Sequence, residues 1–260
     1  MNILQTVILG IIQGLAEFMP ISSSGHLILV GQFFGLSEGS LLLNIVLHLG
    51  TLIPVCVVFR KDIIALIKNP FQKMTGLLII GTLPAVIFAL LFMDFIEGLF
   101  TSGHYLWICF YITGAFLLYA DYKKTSKKKE TGITFTDAAV IGLMQGIALA
   151  PGISRSGSTV TGAISRNIDR EAAAKFSFLL SIPVILGGAV MVFIDILSEN
   201  AVLVSQADII PLFAGFIAAA ACGYFSIRVM LKIIVRCKLK YFAFYVIALG
   251  TFLLAGLIFS

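Results

Sequence analysis

Gly10 to His26 reads GIIQGLAEFMPISSSGH, and 132 residues further along, Gly142 to Ser158 reads GLMQGIALAPGISRSGS. Eight of the sixteen positions from 10 to 25 recur: Gly10/Gly142, Gln13/Gln145, Gly14/Gly146, Ala16/Ala148, Ile21/Ile153, Ser22/Ser154, Ser24/Ser156 and Gly25/Gly157. Average residue usage would give roughly one. The chain is an internal duplication, so whatever one half folds into, the other must too. In each copy an apolar run is interrupted by Pro, Gly and Ser. Each half is therefore built around a broken helix.

The remainder of each half is apolar enough to settle the medium. With 59% hydrophobic residues and 12% charged among 260, and a mean hydropathy of +1.06, the chain carries more apolar surface than a soluble core of its size can bury. The expected class is an all-α polytopic membrane protein. The first apolar arm stops at Pro20, and the second, Leu27 to Leu36, ends at Ser37-Glu38-Gly39. Ten helical residues rise about 15 Å, half the ~30 Å hydrocarbon thickness. Residues 1–36 are thus expected to form a re-entrant hairpin, followed by spans at about 40–59, 75–93 and 105–122, which closes a first repeat over 1–122.

Residues 123–132, KKTSKKKETG, form a basic linker, and the second repeat, 133–260, repeats the plan. Its hairpin is expected at 136–166 and its spans at about 172–197, 209–230 and 241–259, with Asn167 to Glu171 as the turn and cap before the first of them. Ile53-Pro54-Val55 recurs as Ile182-Pro183-Val184, so the duplication continues into the spans. A hairpin returns to its own side and three spans cross an odd number of times. The two repeats must therefore be inverted in topology.

Charge placement tests that count. Seventeen of the 18 Lys and Arg residues fall in 60–73, 123–129, 166–175 and 228–240, all on one face, and Arg155 is the exception. By the positive-inside rule that face is cytoplasmic and both termini are external. The net charge of +5 is explained by this placement, and a nucleic-acid partner is not. Cys56, Cys109, Cys222 and Cys237 are scattered with no CxxC, so they read as small hydrophobes. No basic residue precedes the first apolar run, which is kept as mature structure and not read as a signal peptide.

Glu17 and Arg155 are the ionisable residues placed most clearly inside membrane-embedded segments, each at a break. An intramembrane charge costs at least ~2.5 kcal/mol on insertion scales and marks a functional site unless it is a structural ion pair. Helix N-termini beginning near Ser24 and Ser158, with turns freed by Gly25 and Gly157, would present N–H groups and hydroxyls to an anion. Arg155 would add a planar fork suited to phosphate, and loops entering from opposite faces should meet as one site. Ser22-Ser23-Ser24 beside Glu17 and His26 suggests a serine nucleophile with a base, although such a turn can equally be hydrogen-bond filler. Gln13 and Gln145 fit either a mutual contact or a cavity lining. His48 and His104 receive no role.

Three motifs carry a resemblance. Gln13 to Glu17 (QGLAE), Pro20 to His26 (PISSSGH) and Pro151 to Thr159 (PGISRSGST) resemble the bacitracin-resistance family of undecaprenyl-diphosphate phosphatases, over essentially the whole chain. The resemblance implies an enzyme of the bacterial plasma membrane that hydrolyses a polyprenyl diphosphate lipid with a divalent cation, Mg²⁺ or Ca²⁺, and so recycles the carrier for cell-wall synthesis. It gives catalytic roles to Glu17, Ser23, His26 and Arg155, and places Ser22, Ser24, Ser154, Ser156 and Thr159 around the substrate, beside Gly25 and Gly157. The cation would fall to Glu17 with Gln13, which stands where many members have a second carboxylate. Inverted repeats also suit a lipid-phosphate transporter using the same site, and the small residues from Gly215 to Gly223 suit either packing inside the bundle or a homodimer.

Overall fold

The computed structural model describes residues 2–36, 41–123, 128–197, 206–236 and 238–259. The turn at 37–39, the middle of the basic linker, the segment 198–205 and Cys237 lie outside the described residues. Eleven α-helices occupy the described chain: α1 Ile3–Ala16, α2 Ser23–Phe33, α3 Leu41–Val58, α4 Arg60–Lys68, α5 Lys73–Ser102, α6 Leu106–Tyr122, α7 Phe135–Ile147, α8 Arg155–Ser165, α9 Arg170–Leu197, α10 Gln206–Arg236 and α11 Lys240–Phe259.

The duplication is visible in how these helices begin. Asn2 caps α1 and is answered by Gln5, and 132 residues on, Thr134 caps α7 and is answered by Asp137. Each pair is a capping box that satisfies two otherwise unpaired donors. Ser22 then caps α2 by accepting from Gly25 N, and Ser154 caps α8 by accepting from Gly157 N. The short arms therefore start at Ser23 and Arg155, equivalent positions of the two copies.

Four described helices are long and apolar enough to cross a membrane: Lys73–Phe92, Arg170–Ile194, Ile209–Ile234 and Lys240–Phe259. A fifth is added if α3 and α4, bent by 82° at Phe59, count as one span. The 17 residues of α6 rise about 25 Å, at the short end of what a bilayer needs. The chain is an all-helical, multi-pass membrane protein. Two elements run beyond the limits expected from sequence. α4 forms from residues read as a loop, because Ile63, Ile64 and Ile67 alternate with charges as in an interfacial helix. α5 passes residue 93 with only a kink at Phe92 and ends at Gly103, whose φ of 63° suits a residue without Cβ.

Helix pairing is reciprocal between the halves. α1 packs along α10 and α7 packs along α5, and in both cases glycine sets the approach. A Cβ on Gly10 would collide with the Gly215 carbonyl, and a Cβ on Gly142 with the Gly81 carbonyl. The small residues from Gly215 to Gly223 are used inside the bundle: Gly215 faces Thr6, and Gly223 faces Phe18 and Pro54. One core cluster, which includes Phe18, Val55, Ile141, Val160, Phe176 and Ile227, joins residues from both halves behind the breaks.

At the end where α7 starts, Asp137 is fully buried. It accepts from Lys128 Nζ at 2.5 Å, from Thr134 N and Oγ1 at 2.8 Å each, and from Arg166 Nε at 3.0 Å. Burial pushes its carboxyl up, but the bonds from Lys128, Thr134 and Arg166 outweigh that and hold it well below the usual carboxylate range. These contacts tie the linker and the end of α8 to α7.

Gly142→Val is expected to destabilise the protein by about 1–3 kcal/mol through overpacking against Gly81, read as a lowered melting temperature in detergent. The Asp137 contribution should be fully present above its unfolded pKa of about 4 and be lost as pH falls toward the native value. Melting temperatures from pH 7 to pH 3 should fall less steeply in Asp137→Asn, from a lower start, than in the parent.

Candidate active site

The two breaks face each other across the molecule's halves. Gly152 N donates to Ser24 Oγ at 3.3 Å, and Ser156 Oγ donates to the Met19 carbonyl at 3.0 Å. Between them Arg155 Nη2 pairs with Glu17 Oε1. Glu17 is the C-cap of α1 and Arg155 is the first residue of α8, so one charge sits where its helix stops and the other where its helix starts. Their side chains are 4% and 16% exposed.

The second carboxylate oxygen collects everything else nearby. Ser23 Oγ donates to Glu17 Oε2 at 2.6 Å and Gln13 Nε2 donates to it at 3.0 Å. Ser23 is the first residue of α2, which makes it the positional counterpart of Arg155. A hydroxyl and a guanidinium thus stand at the same place in the two copies, aimed at one carboxylate. The two glutamines, equivalent in the repeat, part company here, since Gln13 binds Glu17 whereas Gln145 donates to the Gly81 carbonyl at 3.5 Å.

These groups close the polar end of a cavity of about 250 Å³. Glu17, Ser22, Ser23, Ser24, Ser154, Arg155 and Ser156 line it, together with Asn44 and His48 of α3. Its other walls are apolar: Ala89 and Ile96 of α5, and Val184, Ile185, Met191 and Val192 of α9. Arg155 Nη1 is buried with no hydrogen-bond partner among the described residues. An unpaired buried donor costs about 1–3 kcal/mol, more on a charged group, so this nitrogen still lacks an acceptor.

Four expected residues stand behind the cavity. Gly25 N and Gly157 N are occupied by the capping hydroxyls of Ser22 and Ser154, which leaves neither N–H for an anion. Thr159 Oγ1 is bound to the Arg155 carbonyl at 2.8 Å and to Ser177 Oγ at 2.6 Å. His26 directs Nδ1 to the Ser22 carbonyl at 2.7 Å and Nε2 to Tyr245 Oη at 2.8 Å.

His48, to which sequence reasoning gave no role, is brought to the site. Its Nδ1 lies 2.7 Å from the Asn44 carbonyl, which fixes the proton there, and its Nε2 lies 3.5 Å from Glu17 Oε2. A signal was present, because Asn44 and His48 are one helical turn apart on one face of an otherwise apolar run.

The chain is similar to known proteins over nearly its whole length. The family model described as bacitracin resistance protein BacA matches residues 6–252. A protein named undecaprenyl-diphosphatase from Carboxydothermus hydrogenoformans is 48% identical over 254 residues, covering 98% of this chain and 97% of its own. A protein of Bacillus cereus named undecaprenyl-diphosphatase 4 is 46% identical over 254 residues, with the same coverage. An undecaprenyl-diphosphatase of Halothermothrix orenii is 40% identical over 262 residues, covering 99% of this chain and 100% of its own.

Breaking the buried pair from one side, by Glu17→Gln or Arg155→Met, should cost about 3–5 kcal/mol of stability, and removing both charges together should cost clearly less than the sum. Thermal unfolding of the two single variants and the double variant checks this. Additive losses would mean that the charges are not coupled.

Proposed function

The chain belongs to the bacitracin resistance protein BacA family, and we propose from that membership and the site that it hydrolyses undecaprenyl diphosphate to undecaprenyl phosphate and inorganic phosphate. The bacitracin resistance in the family's description follows from the same activity. The observation that carries the reading is Arg155, whose Nη2 is held by Glu17 while Nη1 has no partner among the described residues. A phosphate oxygen satisfies that nitrogen with a charge-assisted bond.

In this mechanism Ser23 Oγ, 2.6 Å from Glu17 Oε2, attacks the terminal phosphorus in line. The Ser23 Oγ–P bond forms as the bridging P–O bond breaks. The electron pair leaves with undecaprenyl phosphate, and the hydroxyl proton passes to Glu17. Arg155 offsets the charge that builds on the phosphoryl oxygens. Water then displaces Ser23 from phosphorus and Ser23 Oγ recovers its proton from Glu17. The contact with Glu17 favours that carboxylate over His26 as the base, while His26 acts from behind the loop.

A divalent cation fits the oxygens present. Glu17 is one carboxylate, and Gln13 Oε1, one turn earlier on α1, is buried without a partner among the described residues. Among those residues no group of three or more His, Cys, Asp or Glu is arranged to hold a metal, which argues against an all-protein cage. Mg²⁺ is commonly held by one or two carboxylates plus substrate phosphates, so Glu17 and Gln13 would hold it here. Bound there, it would neutralise diphosphate charge.

The membrane placement belongs to the same reading. Reciprocal packing of α1 on α10 and α7 on α5 supports two inverted repeats, with basic loops cytoplasmic and both termini external. Ala89 and Ile96 lie along α5 away from Lys73, and Ile185 and Val192 lie along α9 away from Arg170. This placement supports a cavity that opens toward the external side. The relatives' name favours hydrolysis over lipid transport through this site.

Purified protein given undecaprenyl diphosphate should release phosphate with Mg²⁺ or Ca²⁺ and stop with chelator. Arg155→Ala and Ser23→Ala should each lose on the order of 10²-fold or more in kcat. Folded protein that binds the lipid yet releases no phosphate would overturn the reading.

A further inference from the structure

Ser22 has φ 68° and ψ 93°, a conformation that a residue with a side chain holds only under strain. Its counterpart in the second copy carries no such strain, since Ser154 has φ −69° and ψ 116°. Such strain persists only where the surroundings over-determine it. The first copy has a device that the second lacks.

That device is His26. A carbonyl can only accept, so the Nδ1 that lies 2.7 Å from the Ser22 carbonyl carries the ring proton. Nε2 of the neutral ring then accepts from Tyr245 Oη at 2.8 Å. The imidazole stacks on Tyr245 at 5.7 Å and 11°, and meets the edge of Phe110 at 5.7 Å and 75°. Both nitrogens are engaged outside the cavity. In the second copy the equivalent residue is Ser158, whose Oγ is buried without a partner among the described residues. There the loop is braced by Thr113 instead, through Ser154 N at 3.0 Å and the Gly152 carbonyl at 3.2 Å.

We propose that Tyr245 of α11 is a positioning residue for the hydrolysis: its hydroxyl fixes His26, and His26 clamps the Ser22 carbonyl so that the strained turn delivers Ser23 Oγ to Glu17. The proposal rests on the reading of Ser23 as nucleophile. It makes His26 a part of the loop's support, with no proton moved on its ring during turnover.

The test uses Tyr245→Phe, which keeps the stacked ring and removes only the hydroxyl, in the full-length protein. Turnover should fall about tenfold in kcat, as expected for one lost hydrogen bond, with KM and melting temperature near those of the parent. A second variant, His26→Asn, places an amide N–H where Nδ1–H stood, while His26→Gln places one near Nε2. The Asn variant should retain more activity than the Gln variant, and Tyr245→Phe should cost nothing further in the His26→Asn background. Parental kcat in Tyr245→Phe, or an equal Tyr245→Phe loss with and without His26, would overturn the clamp. An inactive His26→Asn with folded protein would also overturn it and return His26 to the chemistry. Ser23→Ala run alongside separates the two failures: its full activity would remove the nucleophile reading, whereas its loss beside an unaffected Tyr245→Phe would remove only the clamp.

Discussion

A carboxylate and a guanidinium in an apolar medium must find each other or be hydrated, because each unpaired charge in such surroundings costs several kcal/mol. The Glu17–Arg155 pair imposes this condition on the whole fold. Glu17 closes α1 and Arg155 opens α8, in different halves, so the end of one helix and the start of the other must meet at the same place. That in turn requires α1 and α7 to run deep between their neighbours. The glycine contacts of Gly10 with Gly215 and of Gly142 with Gly81 permit that close approach.

The two copies share their scaffolding and divide their chemistry. Caps recur at equivalent positions, Asn2 with Thr134 and Ser22 with Ser154. The ionic and reacting side chains do not recur: Glu17 answers to Leu149, Ser23 to Arg155, and His26 to Ser158. Bracing is crossed as well, since Tyr245 of α11 supports the first loop and Thr113 of α6 supports the second. Each half thus steadies the loop of the other, and neither could hold the site alone.

Much of this was legible in the sequence because repeated Pro, Gly and Ser in apolar runs can mean little else. The helical class, the breaks and the identification of Glu17 and Arg155 as the embedded charges all follow from local pattern and charge cost. What did not follow depends on which helix lies beside which. His48 and Tyr245 reach their partners from α3 and α11 across long separations, and although Asn44 and His48 mark one face of α3, the pattern does not say which helix that face meets. α4 was hidden for a related reason, since nine residues with four charges look like a loop until an interface accepts their apolar side. The withdrawal of Gly25 and Gly157 from ligand contact was invisible because it depends on hydroxyl rotamers, not on spacing.

The cavity has a polar end built from hydroxyls and one ion pair, and flanks built from Ala89, Ile96, Val184, Ile185 and Val192. For a lipid diphosphate this division separates the fates of the two products. Inorganic phosphate is insoluble in hydrocarbon and departs through water, while the prenyl monophosphate keeps its tail among apolar side chains and departs sideways into the bilayer. Once parted, they occupy different phases and seldom meet again at Arg155. A hydrolysis run between two media in this way is drawn forward by partition as well as by the chemistry of the bond.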